Sequence, residues 1–505
     1  MKKKRQCFDI IVIGSGMGGM TAASLFANQG RNVLVLEAAH LPGGCSSSYK
    51  RKGYIFESGA TTLIGFDENQ PLKELEKRLD IELPKEPLEP SMVVHMDGET
   101  ITRYRDRKRW ISEAADRFGN FSGQKSFWEL AYRVSDIVWK VSGQNPSFPP
   151  NSISDVAELL KNDPRDLWIL PYALKSVKEV VAEHHLDTPS FLRFLDEQLM
   201  ISAQATASET PFIFGAPAIT YTSCTNYYVP GGLISMIKKL EEFITEQGGE
   251  LHTKEKVLKL HKNEGDFLVY TDKNETEYRA PVIISNIPVW NMESITTGET
   301  ASYFKKKSKE YSSYWGAITM GVVTNDIYPA DMPLHHQIHL QQNDRIPGIN
   351  SKSLFVSFSK RGDTVRAPKG DRVLNISTHT IPEFWYGLNS TYDVMKSKAE
   401  SCIIDVLKRR LPEFAGSKIK LVFSGTPVTW EKWVHRYRGR VGGIPQSMDR
   451  SLLDWVPNKT PFPGLYLCGD TVFPGQGIPG VTLSGLNVYY EINKNHNKDK
   501  FRWAI

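Results

Sequence analysis

Between Phe8 and Ala38 the hydrophobic pattern changes period twice. Phe8 to Ile13 (FDIIVI) is an almost unbroken apolar run, which predicts a strand covered on both faces. Met17 to Gln29 reads as a helix closed by Gly30, and Asn32 to Leu36 as a second buried strand. A related pattern returns near the other end. The apolar run Leu465 to Cys468 stops at Gly469 and Asp470, glycines and prolines follow, and a helix-like run begins near Gly480-Val481-Thr482. In between, Leu251 to Asn286 reads as β-hairpins, with strands at Val257–His261, Phe267–Thr271 and Val282–Ile284. Upstream, Phe127, Leu130, Val134, Ile137 and Val141 recur at helical spacing opposite Glu129, Arg133, Asp136 and Lys140. Phe191 to Met200 repeats that amphipathic pattern, and core packing is its simplest purpose. The elements predict an α/β chain.

The turn Gly14-Ser15-Gly16-Met17-Gly18-Gly19 places Gly14, Gly16 and Gly19 at GxGxxG spacing between a strand and a helix. Gly14 permits the tight turn, Gly16 lets backbone approach a pyrophosphate, and Gly19 lets helix and strand pack closely. The helix N-terminus then offers unpaired N–H groups and a positive dipole end to phosphate. Glu37, followed by Ala38, ends the next strand where an acid holds a ribose diol and repels a 2′-phosphate. A lone GxGxxG is a weak signal; the flanking strands, helix and acid make it a Rossmann-type dinucleotide site.

Asp470 distinguishes the dinucleotide. An NAD site is complete within its first half, whereas FAD carries a ribitol arm beyond the pyrophosphate. An acid at the end of a late apolar strand can accept hydrogen bonds from that arm or sit beside the phosphate through backbone N–H groups. The helix near Gly480 would aim its positive end at the ring system and favour its reduced, anionic form. The expected cofactor is FAD.

Composition narrows the class. At 505 residues the chain exceeds one compact core, so two or more intertwined domains are expected. A net charge of +5, with no basic stripe interleaved with aromatics, gives no reason to expect nucleic acid. Lys2-Lys3-Lys4-Arg5 reads as a solvated basic tail. Cys7, Cys45, Cys224, Cys402 and Cys468 form no CxxC and no metal-ligand spacing, which suits a reducing compartment and no metal. No apolar stretch approaches the ~18 residues of a spanning helix. His184-His185 is not at metal spacing and reads as a helix end.

Four stretches together resemble the FAD-dependent carotenoid desaturases of the bacterial phytoene desaturase type, which are related to carotenoid isomerases, retinol saturases and amine oxidases. They are the Gly14–Glu37 unit, PGGCSSSYKRKGYIFESGATTLIGF from Pro42, YVPGGLISMIKKLEEFITEQGGEL from Tyr228, and GDTVFPGQGIPGV from Gly469. The resemblance implies a glutathione-reductase-like, amine-oxidase-like topology: a Rossmann-type FAD-binding domain from 1–85, 229–290 and 430–505, and a discontinuous helical/β substrate domain from 86–228 and 291–429. It implies that Gly43 and Gly44 pack against the dinucleotide and that Val257 meets adenine through its backbone. Gly469 and Asp470 would hold the ribitol-phosphate region, and Gly480, Val481 and Thr482 would lie by the flavin.

The activity implied is desaturation of a carotenoid, a long apolar polyene. A hydride passes from an allylic C–H to flavin N5, and a neighbouring carbon loses a proton, extending the conjugation. An apolar tunnel would align such a substrate, and the protein would sit in the cytoplasm with peripheral membrane contact. The terminal electron acceptor, quinone or oxygen, is left open. Two departures bear on the reaction: Cys45-Ser46-Ser47-Ser48 stands where many desaturases have an arginine after the glycine pair, and Glu57 where Asp is common. Both lean toward the isomerase and late-acting branches, such as 3′,4′-desaturation of a hydroxylated acyclic or monocyclic carotenoid. A redox-neutral cis–trans isomerase, a retinol-saturase-like enzyme and a carotenoid carrier without turnover are the alternatives. No catalytic residue is assigned; Glu209 and His435 are candidate proton acceptors.

Overall fold

Ile10–Ile13 and Val33–Leu36 are buried at every position, as strands with both faces covered must be. In the computed structural model, which describes residues 4–494 apart from 60, 151–152, 160–162, 274–275, 312–314 and 452, they lie side by side in an all-parallel sheet. Its order is Glu250–His252, Val33–Leu36, Ile10–Ile13, Val282–Ser285, Leu465–Leu467. The sheet thus gathers strands from three distant parts of the sequence. The expected hairpin strand at Val282 belongs here instead. Its apolar run VIIS shows no alternation and is buried from Ile283 onward, which a parallel central strand requires.

The helices Met17–Asn28 and Ile478–Asn493 pack against each other on this sheet. Their approach depends on a glycine: a Cβ on Gly485 would come within 2.4 Å of the Gly18 carbonyl oxygen. That contact ties the two ends of the chain together. Over the parallel sheet lies a four-stranded one in the order Lys4–Cys7, Thr276–Ala280, Phe267–Thr271, Val257–Lys262. Lys4 and Arg5 are therefore not part of a solvated tail. They form an edge strand parallel to Thr276–Ala280, with Arg5 paired to Glu277 at 2.9 Å; Lys2 and Lys3 lie outside the described residues.

A second large sheet has seven strands in the order Ile419–Gly425, Gly316–Asn325, Asp371–Thr380, Ser353–Phe358, His335–His339, Met92–Met96, Glu99–Arg103. It is antiparallel except where Met92–Met96 meets His335–His339. The helices Phe121–Gln144, Pro189–Ser202 and Phe212–Thr220 share an apolar cluster with it that includes Trp110, Phe127, Trp128, Phe191 and Phe194. Phe127 and Val134 are buried as their spacing predicts, and Leu130 and Ile137 pack at the margin. His184 ends the helix Val177–Glu183, its Nδ1 2.7 Å from Ser126 Oγ.

Candidate cofactor and substrate site

A cavity of about 420 Å³ lies between the two large sheets. At one end it is lined by Leu36, Glu37, Ala38, Lys256 and Val257. In its middle stand Gly14, Gly16, Met17, Gly18, Gly43, Gly44, Gly469 and Asp470. Toward the C-terminal helix come Gly477, Ile478 and Val481, and the remaining wall is Glu197, Met200, Gln204, Ser351, Ser353, Phe355, Ser377 and His379.

The glycine turn behaves as its spacing requires, with one addition. Gly14 has φ +93°, and a Cβ on Gly19 would lie 2.4 Å from the Gly14 carbonyl oxygen, so helix and strand meet with no room for a side chain. The addition is Asn286, which follows Val282–Ser285. Its Oδ1 accepts from the Gly19 N–H at 3.0 Å, and a Cβ on Gly16 would come within 2.5 Å of its Nδ2. Met17–Asn28 has Gly16 at its N-cap, with no side-chain cap, and Met17 and Gly18 face the cavity. Ser15 and Gly19 do not line it. Ser15 is buried and donates from both N–H and Oγ to Glu37 Oε2, at 2.9 and 2.6 Å, while Ala39 N–H reaches Oε1 at 2.7 Å. Glu37 is thus pinned in place, with Oε2 filled by its two donors and Oε1 left with capacity for one more.

Gly43 (φ +106°) and Gly44 (φ +56°) adopt left-handed backbone that favours glycine. A Cβ on Gly44 would meet only the Gly16 Cα, at 3.8 Å, so this cradle is open. Asp470 is not a bare carboxylate. Its Oδ2 accepts from Arg436 Nη2 at 2.7 Å, and Arg436 Nε donates to the Arg440 carbonyl at 2.6 Å. Burial would lower the Arg436 pKa, but the Asp470 carboxylate and the Cys45 thiol beside it hold it above the ordinary value. Burial pushes the Cys45 thiol up. Gly443 (φ +69°) wraps this pair: a Cβ there would fall 1.9 Å from the Asp470 carbonyl oxygen.

The C-terminal helix begins at Ile478, two residues before the expected start, with Gly477 (φ +85°) at its N-cap. Pro479 at its second position supports the earlier start, since a first turn needs no N–H there. Only Val481 of the expected trio lines the cavity. Thr482 Oγ1 donates back to the Ile478 carbonyl at 2.7 Å, and Gly480 packs on Gly475.

Neither candidate proton acceptor faces the inner wall. Glu209 is exposed and staples its own loop, accepting from Thr206 N–H and Oγ1 at 2.9 and 2.7 Å. His435 lines the cavity with φ +58°, its pKa lowered by burial and then by Lys256, with Glu37 and Asp272 opposing. Those neighbours place it at the Glu37 end. The buried carboxylate of the inner wall is Glu197, which sequence reasoning missed; its position in FLRFLDEQLM reads as the polar face of an amphipathic helix. The variant residues Ser48 and Glu57 pair with each other at 2.5 Å away from the cavity. Glu57 also pairs with Arg366 at 3.1 Å and accepts from Leu233 N–H, so these departures join structural segments.

A glycine-turn helix, a pinned acid, the left-handed Gly43-Gly44 turn and a late paired aspartate thus surround one cavity between two sheets. The chain belongs to the family of flavin containing amine oxidoreductases, which matches residues 17–492. It is 30% identical over 498 residues to prolycopene isomerase 1, chloroplastic, of an Oncidium hybrid cultivar, covering 95% of this chain and 82% of that one. It is 25% identical over 511 residues to the neurosporene-forming phytoene desaturase of Rhodobacter capsulatus, covering 94% and 92%. A putrescine oxidase triple mutant shares the fold, with a TM-score of 0.66 at 14% identity over 97% of this chain and all of that one. The protein is an FAD-dependent oxidoreductase related to the enzymes of carotenoid biosynthesis. The open cradle and two helix starts without side-chain caps suit a long anionic dinucleotide.

Proposed function

We propose that this protein acts on a long polyene of the carotenoid class and rearranges its double-bond geometry without net oxidation. The observation that carries this reading is the 30% identity to a prolycopene isomerase, sustained over 95% of the chain. The nucleotide part is assigned to 1–85, 229–290 and 430–505, which hold all five strands of the parallel sheet, and the substrate part to 86–228 and 291–429.

Within the nucleotide part, the Met17 helix start and the Gly43-Gly44 cradle would hold the pyrophosphate. Glu37 would accept from a ribose hydroxyl, Val257 would meet adenine, and Asp470, oriented by Arg436, would accept from the ribitol. Gly480, Val481 and Thr482 stay in this assignment as the first turns of the helix whose positive end opens on the cavity. When bound, the flavin supplies a hydride donor or acceptor at its ring system. The inner wall would then hold the polyene, with helix Pro189–Ser202 and the sheet face of Thr319, Phe355 and Ser377 excluding water and fixing the chain by shape.

Desaturation is the second reading, favoured by coverage: the match spans 92% of the Rhodobacter desaturase and 82% of the isomerase. Product mass separates the two. In cells making polyene precursors, isomerisation gives a pigment of altered retention and unchanged mass; a product lighter by two hydrogens refutes it and supports desaturation. A peripheral membrane contact is also proposed. Leu167 and Leu170 are 54 and 50% exposed on the helical stretch Pro164–Ala173, and Leu174, which ends it, is 82% exposed; exposed apolar side chains grouped in this way suit the lipid interface from which such a substrate would come. Among the described residues no helix is long and apolar enough to cross a membrane.

A further inference from the structure

We propose that the inner wall of the cavity is a recognition subsite for a hydroxyl group on the polyene, with Glu197 accepting its hydrogen bond and Gln204 as the second acceptor. This deepens the polyene reading and rests on it.

The wall is not built for a plain hydrocarbon. On the sheet side, Ala317 pairs with His379 and Thr319 with Ser377, and Ser377 pairs in turn with Phe355. Alternate residues of three neighbouring strands thus face the cavity, with the polar side chains of Thr319, Ser377 and His379 beside Ala317 and the aromatic Phe355. Glu197 is 3% exposed and faces them from helix Pro189–Ser202. Ser351 Oγ and Ser353 Oγ donate to its Oε2 at 2.9 and 2.6 Å, and Lys352 N–H donates to Oε1 at 3.1 Å. Oε2 is therefore filled, while Oε1 keeps a lone pair for one more donor.

The second observation is independent. Gln204 is also 3% exposed and lines the same cavity. Its Nε2 is committed to the Val441 carbonyl at 3.1 Å, and its Oε1 is buried with no hydrogen-bond partner among the described residues. A buried polar atom in that state calls for a partner.

The balance of donors and acceptors sets the ligand's chemistry. The Ser351 and Ser353 hydroxyl hydrogens go to Glu197, and the Thr378 hydroxyl donates to the Ser353 carbonyl at 2.9 Å. Burial raises the Glu197 pKa, and the donors from Ser353, Ser351 and Lys352 oppose that rise and match the ionised form. On ionised Glu197, as on Gln204, what remains is acceptor capacity, so the complementary group is a donor. On a carotenoid-class chain that group is a hydroxyl. A ketone oxygen only accepts, so neither ionised Glu197 nor the Gln204 oxygen could hold it. A hydrocarbon end would bury both oxygens without a partner, and a site built to hydrogen-bond a hydroxyl discriminates strongly against the analogue lacking it.

The test is equilibrium binding to the FAD-loaded protein, read from the shift of the polyene's visible absorption. The two probes are an acyclic hydrocarbon carotenoid and its monohydroxylated counterpart. The wild-type protein should bind the hydroxylated probe about ten- to a hundredfold more tightly. E197L should bring the two affinities together; because it strips an acceptor from three donors, E197Q and Q204L serve as milder variants, each expected to reduce the preference several-fold with flavin content unchanged. Equal wild-type affinities would overturn the inference and leave the polyene reading standing. So would a preference undiminished in folded E197Q and Q204L. Binding of neither probe would overturn the polyene reading and this inference with it.

Discussion

The two walls of the cavity are made in opposite ways. The nucleotide wall is mostly backbone: glycines that admit no Cβ, two helix starts, and carboxylates already held by Ser15, Ala39 and Arg436. The substrate wall is mostly side chain, alternate residues of an antiparallel sheet facing one helix that carries Glu197. Backbone devices leave a strict local record in the sequence, because only glycine fits them. Side chains on a sheet face do not, since any residue can alternate.

That difference explains what could be read in advance. The strand-turn-helix-strand unit, Glu37, and the late Asp470 were legible because each sits at a change of hydrophobic period. Arg436 was not, although the rule that a buried carboxylate needs a partner, applied to the basic run HRYRGR before Gly442-Gly443, points to it. Asn286 gave no signal at all; its role depends on Val282–Ser285 entering the parallel sheet. Glu197 was hidden by its own helix, where an acid among apolar residues reads as solvated. It meets Ser351 and Ser353 more than 150 positions later, a pairing no local pattern contains.

The comparison can be broken most severely at Arg436. R436M leaves the Asp470 carboxylate unpaired at 16% side-chain exposure, and removing one partner of a buried pair costs about 3–5 kcal/mol. Denaturant unfolding and bound flavin per chain should both fall. A variant with wild-type values would show that Asp470 needs no partner. A smaller but more selective effect is expected from G19A, whose Cβ would meet the Gly14 carbonyl at 2.4 Å. Overpacking of this kind costs about 1–3 kcal/mol, and the strain falls on the phosphate turn, so flavin retention should drop while the seven-stranded sheet persists in hydrogen exchange.

Mild acid should sharpen the contrast from the other side. His335 and His339 are buried in the substrate sheet, and desolvation brings them down to about 4 and about 3. Each is neutral when folded and would protonate near pH 6.5 when unfolded. The unfolded chain then binds more protons, so stability is full above about pH 6.5 and declines as pH falls toward 4. Urea midpoints should drop between pH 7 and 5, and H339Q should flatten that slope; a slope unchanged in H339Q would locate the sensitivity elsewhere. The smallest effect on the fold is expected at the surface. L167E/L170E should shift stability by no more than about 0.5 kcal/mol while abolishing sedimentation with lipid vesicles; retained sedimentation would remove the proposed contact.

The most direct test of the central claim counts turnovers under anaerobic conditions with no electron acceptor present. Purified FAD-loaded protein, its flavin reduced beforehand, is mixed with a large excess of cis polyene, and products are separated by retention and mass. Isomerisation without net oxidation should convert many polyenes per flavin, at unchanged mass, with the flavin spectrum the same at the end as at the start. No conversion by the reduced protein, together with a single two-hydrogen loss per flavin from the oxidised protein, would contradict it.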